Sequence, residues 1–152
     1  LGEHFLWGKV TLFEDCARVP LLIRVPGRTE SGSSSAGLVE LVDLFPTLTD
    51  LCGVAAPEDL QGSSLAPMLA DASQDGKEVV LTVVSRRNEL GRAIRTRRWR
   101  YAAWPTGEEL YDLEGDPGEN KNLVDHPGHT ETLAEMQALL KRAEERAKSA
   151  SH

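Results

Sequence analysis

The sequence predicts an α+β fold, with a four-stranded antiparallel sheet packed by one long C-terminal helix. A strand and a helix of a different layer precede it. Three observations carry this prediction. Residues 79–113 hold short runs of β-branched and aromatic residues with short connections, the pattern of an antiparallel meander. Residues 131–148 set Leu133, Met136, Leu139, Leu140, Ala143 and Ala147 on one helical face. Residues 20–26 form an apolar run bounded by Pro20 and Pro26, which suits a strand buried on both faces of an α/β sheet.

The elements follow in order. Residues 1–18 lack clean periodicity and read as loop with a helical turn. Leu21 to Val25 is the expected buried strand, and residues 28–37 are a polar, Gly/Ser-rich loop. A helix is expected from Asp43, which can cap free backbone N–H groups, with Pro46 in the first turn. Phe45, Leu48, Leu51 and Cys52 follow at helical spacing, and Gly53 stops the helix. Residues 64–70 suit a short helix, and the polar stretch 71–77 reads as a boundary. Strands are expected at 79–84, 92–99, 100–104 and 109–113. The last helix has Thr132 and Glu135 as a capping box, with Thr130 as a rival cap. Its acidic residues lie early and its basic residues late, as the helix dipole favours.

Composition narrows the function classes. The chain has 152 residues, 40% apolar and 27% charged, values of a globular domain with a real core. A net charge of −7 argues against nucleic acid as a partner, because phosphate backbones select basic surfaces. No apolar run approaches the ~20 residues of a membrane-spanning helix, so no membrane partner is expected. Cys16 and Cys52 are too few for a disulfide framework and read as small, semi-buried thiols; whether they pair is open. The chain opens on Leu1 with a dense cluster of functional residue types and no signal peptide, and it reads as a fragment of a longer protein.

Four segments, in order, resemble the sulfatase family. LGEHFLWGK with RVPLLIRVPG is similar to the stretch after a sulfatase's metal-binding Asp-His/Asn-Gly. LVELVDLFPTLTDLCGV resembles the helix that follows, GRAIRTRRWRYAAW the C-terminal hairpin, and ELYDLEGDPGENKNL the final strand and turn. The wording is nearest to iduronate-2-sulfatase and its bacterial relatives. The resemblance implies an alkaline-phosphatase-like architecture. Residues 1–75 would be the end of the large α/β catalytic domain and 76–152 the small C-terminal domain. It also implies a sulfuric ester hydrolase acting on sulfated sugars, in a periplasmic, secreted or lysosomal setting. Ca²⁺ and a formylglycine are expected in the full-length parent, and no cofactor in this fragment. The expected partners are the sulfated sugar and the missing N-terminal sulfatase domain.

The residues needed for that chemistry are mostly absent. Charge develops on the sulfuryl and leaving oxygens, so such a site needs a nucleophile, a metal and fixed cations. Cys16 lies in CARVP and Cys52 in CGVAA; neither fits C/S-x-P-x-R. Lys9 matches the family lysine that contacts the sulfate, although Phe5 stands where relatives usually have Gly. His4 reads as structural. Arg86, Arg87, Arg92, Arg95, Arg97, Arg98 and Arg100 crowd 15 positions. They suit either a basic rim for a sulfated glycan or a hairpin that pairs with acidic neighbours. Arg95, within the IRT motif, is the candidate substrate-binding member. Trp99 and Tyr101 are expected to share a face under the last helix. The run Asp112, Glu114, Asp116 imitates a calcium loop but fails it at Pro117 and Leu123. Alone, the fragment is expected to be inactive. It should self-associate through the strand at 21–25, or leave its first ~40 residues poorly ordered. The alternative reading is a non-catalytic, glycan-binding or structural module built on the arginine hairpin.

Overall fold

A computed structural model describes residues 2–8 and 10–149. The chain folds as two compact units. One combines residues 1–20 with 81–143, and the other combines 21–80 with 144–152. These packing units cross the expected division at residue 75, because residues 11–14 are held on the sheet.

The first unit is built on a meander in the order β1-β2-β3-β4, formed by Val80–Arg86, Glu89–Arg95, Trp99–Trp104 and Gly107–Asp112. Arg87 and Asn88 link β1 to β2, both at positive φ (50° and 67°). That is the geometry of a two-residue primed turn, whose twist matches the flanking strands. The expected second strand ran to Trp99, but it ends at Arg95. Thr96 and Trp99 close the turn between them, with the Thr96 N–H donating to Trp99 O (2.9 Å) and the Trp99 N–H to Thr96 Oγ1 (3.0 Å).

Register sorts the sheet into two faces. Ile94 lies opposite Tyr101, and Tyr101 opposite Leu110; all three are buried. Helix α4 (Thr130–Ser149) covers this face in its first half, with Met136, Leu139 and Leu140 buried. Gln137 donates to Glu108 (3.1 Å). His129, in the turn before the helix, lies against the Trp99 ring at 5.3 Å. Trp99 and Tyr101 thus share the helix face, as the alternation predicts. Burial, together with the Glu108 carboxylate beside it, pushes the Tyr101 hydroxyl up to about 12. The capping box at Thr132 does not form, because the helix already begins at Thr130. It is continuous with a 3-10 turn at Pro127–His129, whose leading His126 ring accepts from the Gly128 N–H.

On the other face Ala93 lies opposite Ala102. Their small side chains leave room for Leu12, and Val84 and Trp104 pack around this cluster. A Cβ on Gly91 would meet the Trp104 ring at 2.6 Å.

The second unit is organised by Asp43, which is fully buried. Asp43 caps backwards rather than forwards: its Oδ2 accepts the Glu40 N–H (2.8 Å) and its Oδ1 the Ser63 N–H (2.8 Å). The Lys77 ammonium completes the pairing at 2.6 Å. Helix α2 (Leu44–Cys52) follows and ends at Gly53, left-handed at φ 66°. Thr47 accepts the Leu65 N–H (2.8 Å) just before α3 (Ala66–Ala70). Residues 21–25, expected as a strand, are not one. A strand needs a ladder partner, and no segment among the described residues provides one. Cys16 and Cys52 are free thiols, the latter exposed rather than half-buried. No helix among the described residues is long and apolar enough to cross a membrane.

The Gly91–Trp104 contact gives a direct check. Gly91→Ala forces the indole off the sheet and is expected to cost about 1–3 kcal/mol, measured by urea denaturation. Unchanged stability with unchanged tryptophan fluorescence would contradict the packing.

Candidate functional site

The segment before the sheet is fixed by charge. Glu14 opens α1 (Glu14–Ala17), and its carboxylate meets two guanidinium groups. Arg95 Nε donates to both of its oxygens (3.1 and 3.0 Å), and Arg100 Nη2 donates to Oε2. Arg100 also donates from Nη1 to the Leu12 carbonyl. Its Nε lies 2.8 Å from Glu119 Oε1, an ion pair by distance in which the N–H is not aimed at the oxygen. Glu119 closes the ring by accepting the Glu14 N–H (2.6 Å). Two carboxylates thus balance two guanidiniums around an arginine side chain 2% exposed.

The two acids respond oppositely. Burial alone would raise the Glu14 carboxyl, but the charges of Arg100 and then Arg95 outweigh it and hold the group below its ordinary value. Burial raises the Glu119 carboxyl above its ordinary value, and Arg100 offsets this only in part.

Near this clamp lies a cavity of about 340 Å³ bordered by Glu3, His4, Thr11, Phe13, Asp15 and Cys16. The Thr11 hydroxyl is buried without a hydrogen-bond partner among the described residues. His4 stacks on Phe13 at 3.8 Å with the rings 2° from parallel, and Phe13 tilts against Tyr111 at 6.0 Å. The backbone at Phe5 adopts φ 57°. The chain therefore has a phenylalanine in the left-handed region, which favours glycine.

The sequence-derived candidates fall in different places. Lys9 lies outside the described residues. Arg95 is drawn into the Glu14 clamp. Arg98 pairs two-pronged with Asp112 (2.9 and 2.7 Å) and lies 4.9 Å above the Trp99 ring. The arginines do not form one rim. Arg86 and Arg87 are exposed at the β1–β2 turn and Arg97 at the β2–β3 turn, and successive turns of a meander lie at opposite ends of the shared strand. Sequence reading missed Glu14 and Glu119 as partners, although one of its two readings of the arginine run, pairing with acidic neighbours, is what Arg100 does. The one available signal was the alternation that puts Arg100 on the same face as Ala102. Among the described residues no group of three or more His, Cys, Asp or Glu side chains is placed to hold a metal ion. These residues do not fit a calcium site.

Three measurements check this geometry. Arg100→Ala leaves the buried Glu119 carboxylate without a cation and Glu14 with Arg95 alone, and is expected to cost about 3–5 kcal/mol by chemical denaturation. The acids should separate by pH. Glu14, with a lowered folded-state pKa, stabilises above its unfolded pKa and loses that contribution as pH falls. Glu119, with a raised one, contributes most when protonated and loses this as pH rises through its folded pKa. Glu14→Gln should therefore gain ground on the parent from about pH 7 to about pH 4, and Glu119→Gln should lose it. Parallel trends would refute the assignment. Phe5 is 95% exposed, so Phe5→Gly should relieve strain without losing packing and stabilise by about 0.5–1 kcal/mol.

The family model of the N-sulphoglucosamine sulphohydrolase C-terminal region matches residues 2–146. The Delta 4,5-hexuronate-2-O-sulfatase of Bacteroides thetaiotaomicron is 36% identical over 141 residues, covering 86% of this chain and 29% of that protein. Arylsulfatase K of Homo sapiens is 31% identical over 135 residues, covering 80% of this chain and 25% of its own length. A solved protein in complex with its substrate D-glucosamine-2-N,6-O-disulfate superposes at TM-score 0.90 with 28% identity, over 97% of this chain and 32% of that one. The phosphonate monoester hydrolase of Silicibacter pomeroyi superposes at TM-score 0.79 with 25% identity, over 92% of this chain and 31% of that one. The chain thus spans less than a third of the length of these relatives. With the meander, its covering helix and a family match from residue 2 to residue 146, the chain belongs to the sulfatases and corresponds to their C-terminal region.

Proposed function

We propose that this chain is the C-terminal part of a sulfuric ester hydrolase that acts on sulfated sugars. In it, residues 1–75 complete the large α/β domain and 76–152 form the small one. The observation that carries the reading is the family match over nearly the whole chain, supported by relatives named as sulfatases of a hexuronate and of N-acetylglucosamine. Lys9 supplies a fixed cation to the sulfate oxygens, where negative charge grows in the transition state. Calcium and the formylglycine nucleophile belong to the portion of such a protein outside this chain, as does the N-terminal sulfatase domain that is its partner. The Glu14 clamp holds the segment following Lys9 against the sheet. Arg95 supports the site from behind by orienting Glu14 through its Nε.

The glycan-binding module is disfavoured by the pairing of Arg95, Arg98 and Arg100 with carboxylates. A charge already matched by a protein carboxylate contributes little to holding a polyanion.

The test joins this chain to the part of the hexuronate sulfatase relative that it does not match. The isolated chain is expected to release no sulfate from an aryl sulfate, and the joined protein is expected to release it. Lys9→Ala in the joined protein should lower kcat by roughly 10²–10³-fold. Turnover by the isolated chain would refute the reading. Preference of the joined protein for phosphonate esters over sulfate esters would move it to the hydrolase class of the Silicibacter neighbour.

A further inference from the structure

Helix α2 (LFPTLTDLC) gathers its leucines, Phe45 and Cys52 on one broad arc, with Thr49, Pro46 and Asp50 on the rest of its circumference. Leu44, Thr47 and Leu51 lie on one side, Thr47 fully buried and the leucines half-buried. Leu48, Cys52 and Phe45 continue the same arc beside them, with Leu41 leading into it one turn earlier. At 100° per residue, Phe45, Leu48 and Cys52 fall within about 60° of one another. They are nevertheless open to solvent: Leu41 is 68% exposed, Phe45 52% and Leu48 61%, and Cys52 is an exposed thiol. A helix that meets water on one side has a polar face there, as α4 does with Glu131, Glu135, Arg142 and Arg146 all exposed. On α2 the polar Thr49 and Asp50 occupy the far side, so the exposed part of its apolar arc is not the helix's water face. Contiguous exposed apolar surface of this kind marks a contact.

The occupant follows from chain length. The protein that superposes at TM-score 0.90 carries this same fold within a chain about three times as long. We infer that the stripe Leu41, Phe45, Leu48 and Cys52 is the seat of the remaining α/β portion of a sulfatase, whose apolar surface it covers. This deepens the reading above and rests on it. The expected strand at 21–25, without a ladder partner here, lies in the same stretch of chain just ahead of the helix, so that portion would meet both.

Cys52 reports the contact directly. Its alkylation by a maleimide is followed by peptide mapping, which separates it from Cys16, in the isolated chain and in the joined protein described above. Alkylation is expected to slow at least about tenfold on joining, since reaction then requires local opening. Leu48→Asp should restore the fast rate in the joined protein. The same substitution should leave the unfolding midpoint of the isolated chain unchanged, because Leu48 there faces water. Equal rates in both proteins, or a slow rate insensitive to Leu48→Asp, would overturn the inference. So would sedimentation showing the isolated chain to be a dimer in which Cys52 is already protected, since the occupant would then be a second copy. Sulfate release is read separately. Protected Cys52 without turnover sinks the hydrolase reading and keeps the surface, and turnover with reactive Cys52 does the opposite.

Discussion

The first unit depends on Arg100. Its guanidinium is nearly sealed from water between Glu14 and Glu119 and also satisfies the Leu12 carbonyl. Desolvating that charge is costly, and only close carboxylates with additional hydrogen bonds offset it. The offset requires three distant stretches of chain to converge: residues 12–14, strand β3 and the turn after β4. An apolar substitute at Arg100 could fill the volume. It could not fix the carboxylates of Glu14 and Glu119 in direction, so this ion pair specifies geometry more than it adds stability. The same geometry sets where the segment following Lys9 lies, which links an interior interaction to the proposed chemistry.

The second unit repeats the strategy on a smaller scale. Asp43 is a fully buried carboxylate that collects two backbone N–H groups and one ammonium. Buried charge is tolerated in both units because each charge has several partners. Glu14 and Asp43 each anchor a stretch with few regular ladders of its own, residues 10–20 and 54–65 respectively.

Periodicity made the sheet and the long helix legible. Alternation and the 3.6-residue stripe act locally, and the fold follows them in the four strands, in the shared face of Trp99 and Tyr101, and in the Gly53 stop. Turn closure was less legible: Thr96 reads as a strand residue until its hydroxyl is seen accepting the Trp99 N–H. The strand at 21–25 was misread because a ladder depends on neighbours, which a local apolar run does not contain. Glu14 and Glu119 were invisible for a related reason. An acidic residue in a polar stretch looks solvated unless the position of its arginine partner, 86 residues away for Glu14 and Arg100, is already known. Arg95 was read by motif as a substrate contact, and nothing in its local sequence signals that its Nε donates to Glu14, 81 residues away.

The separations within the clamp have a consequence for how the chain can be built. Glu14 and Glu119 are 105 residues apart in sequence, whereas each hairpin of the meander closes over two or three residues. Closing the long loop costs about 3 kcal/mol more chain entropy than closing a four-residue turn, because the cost grows only with the logarithm of length. For the same reason, doubling that loop would add only about 0.6 kcal/mol. The second unit's residues 21–80 all lie inside the loop. As far as the clamp is concerned, that stretch is free to lengthen, shorten or acquire new segments over evolutionary time while the closure at its two ends is left almost untouched.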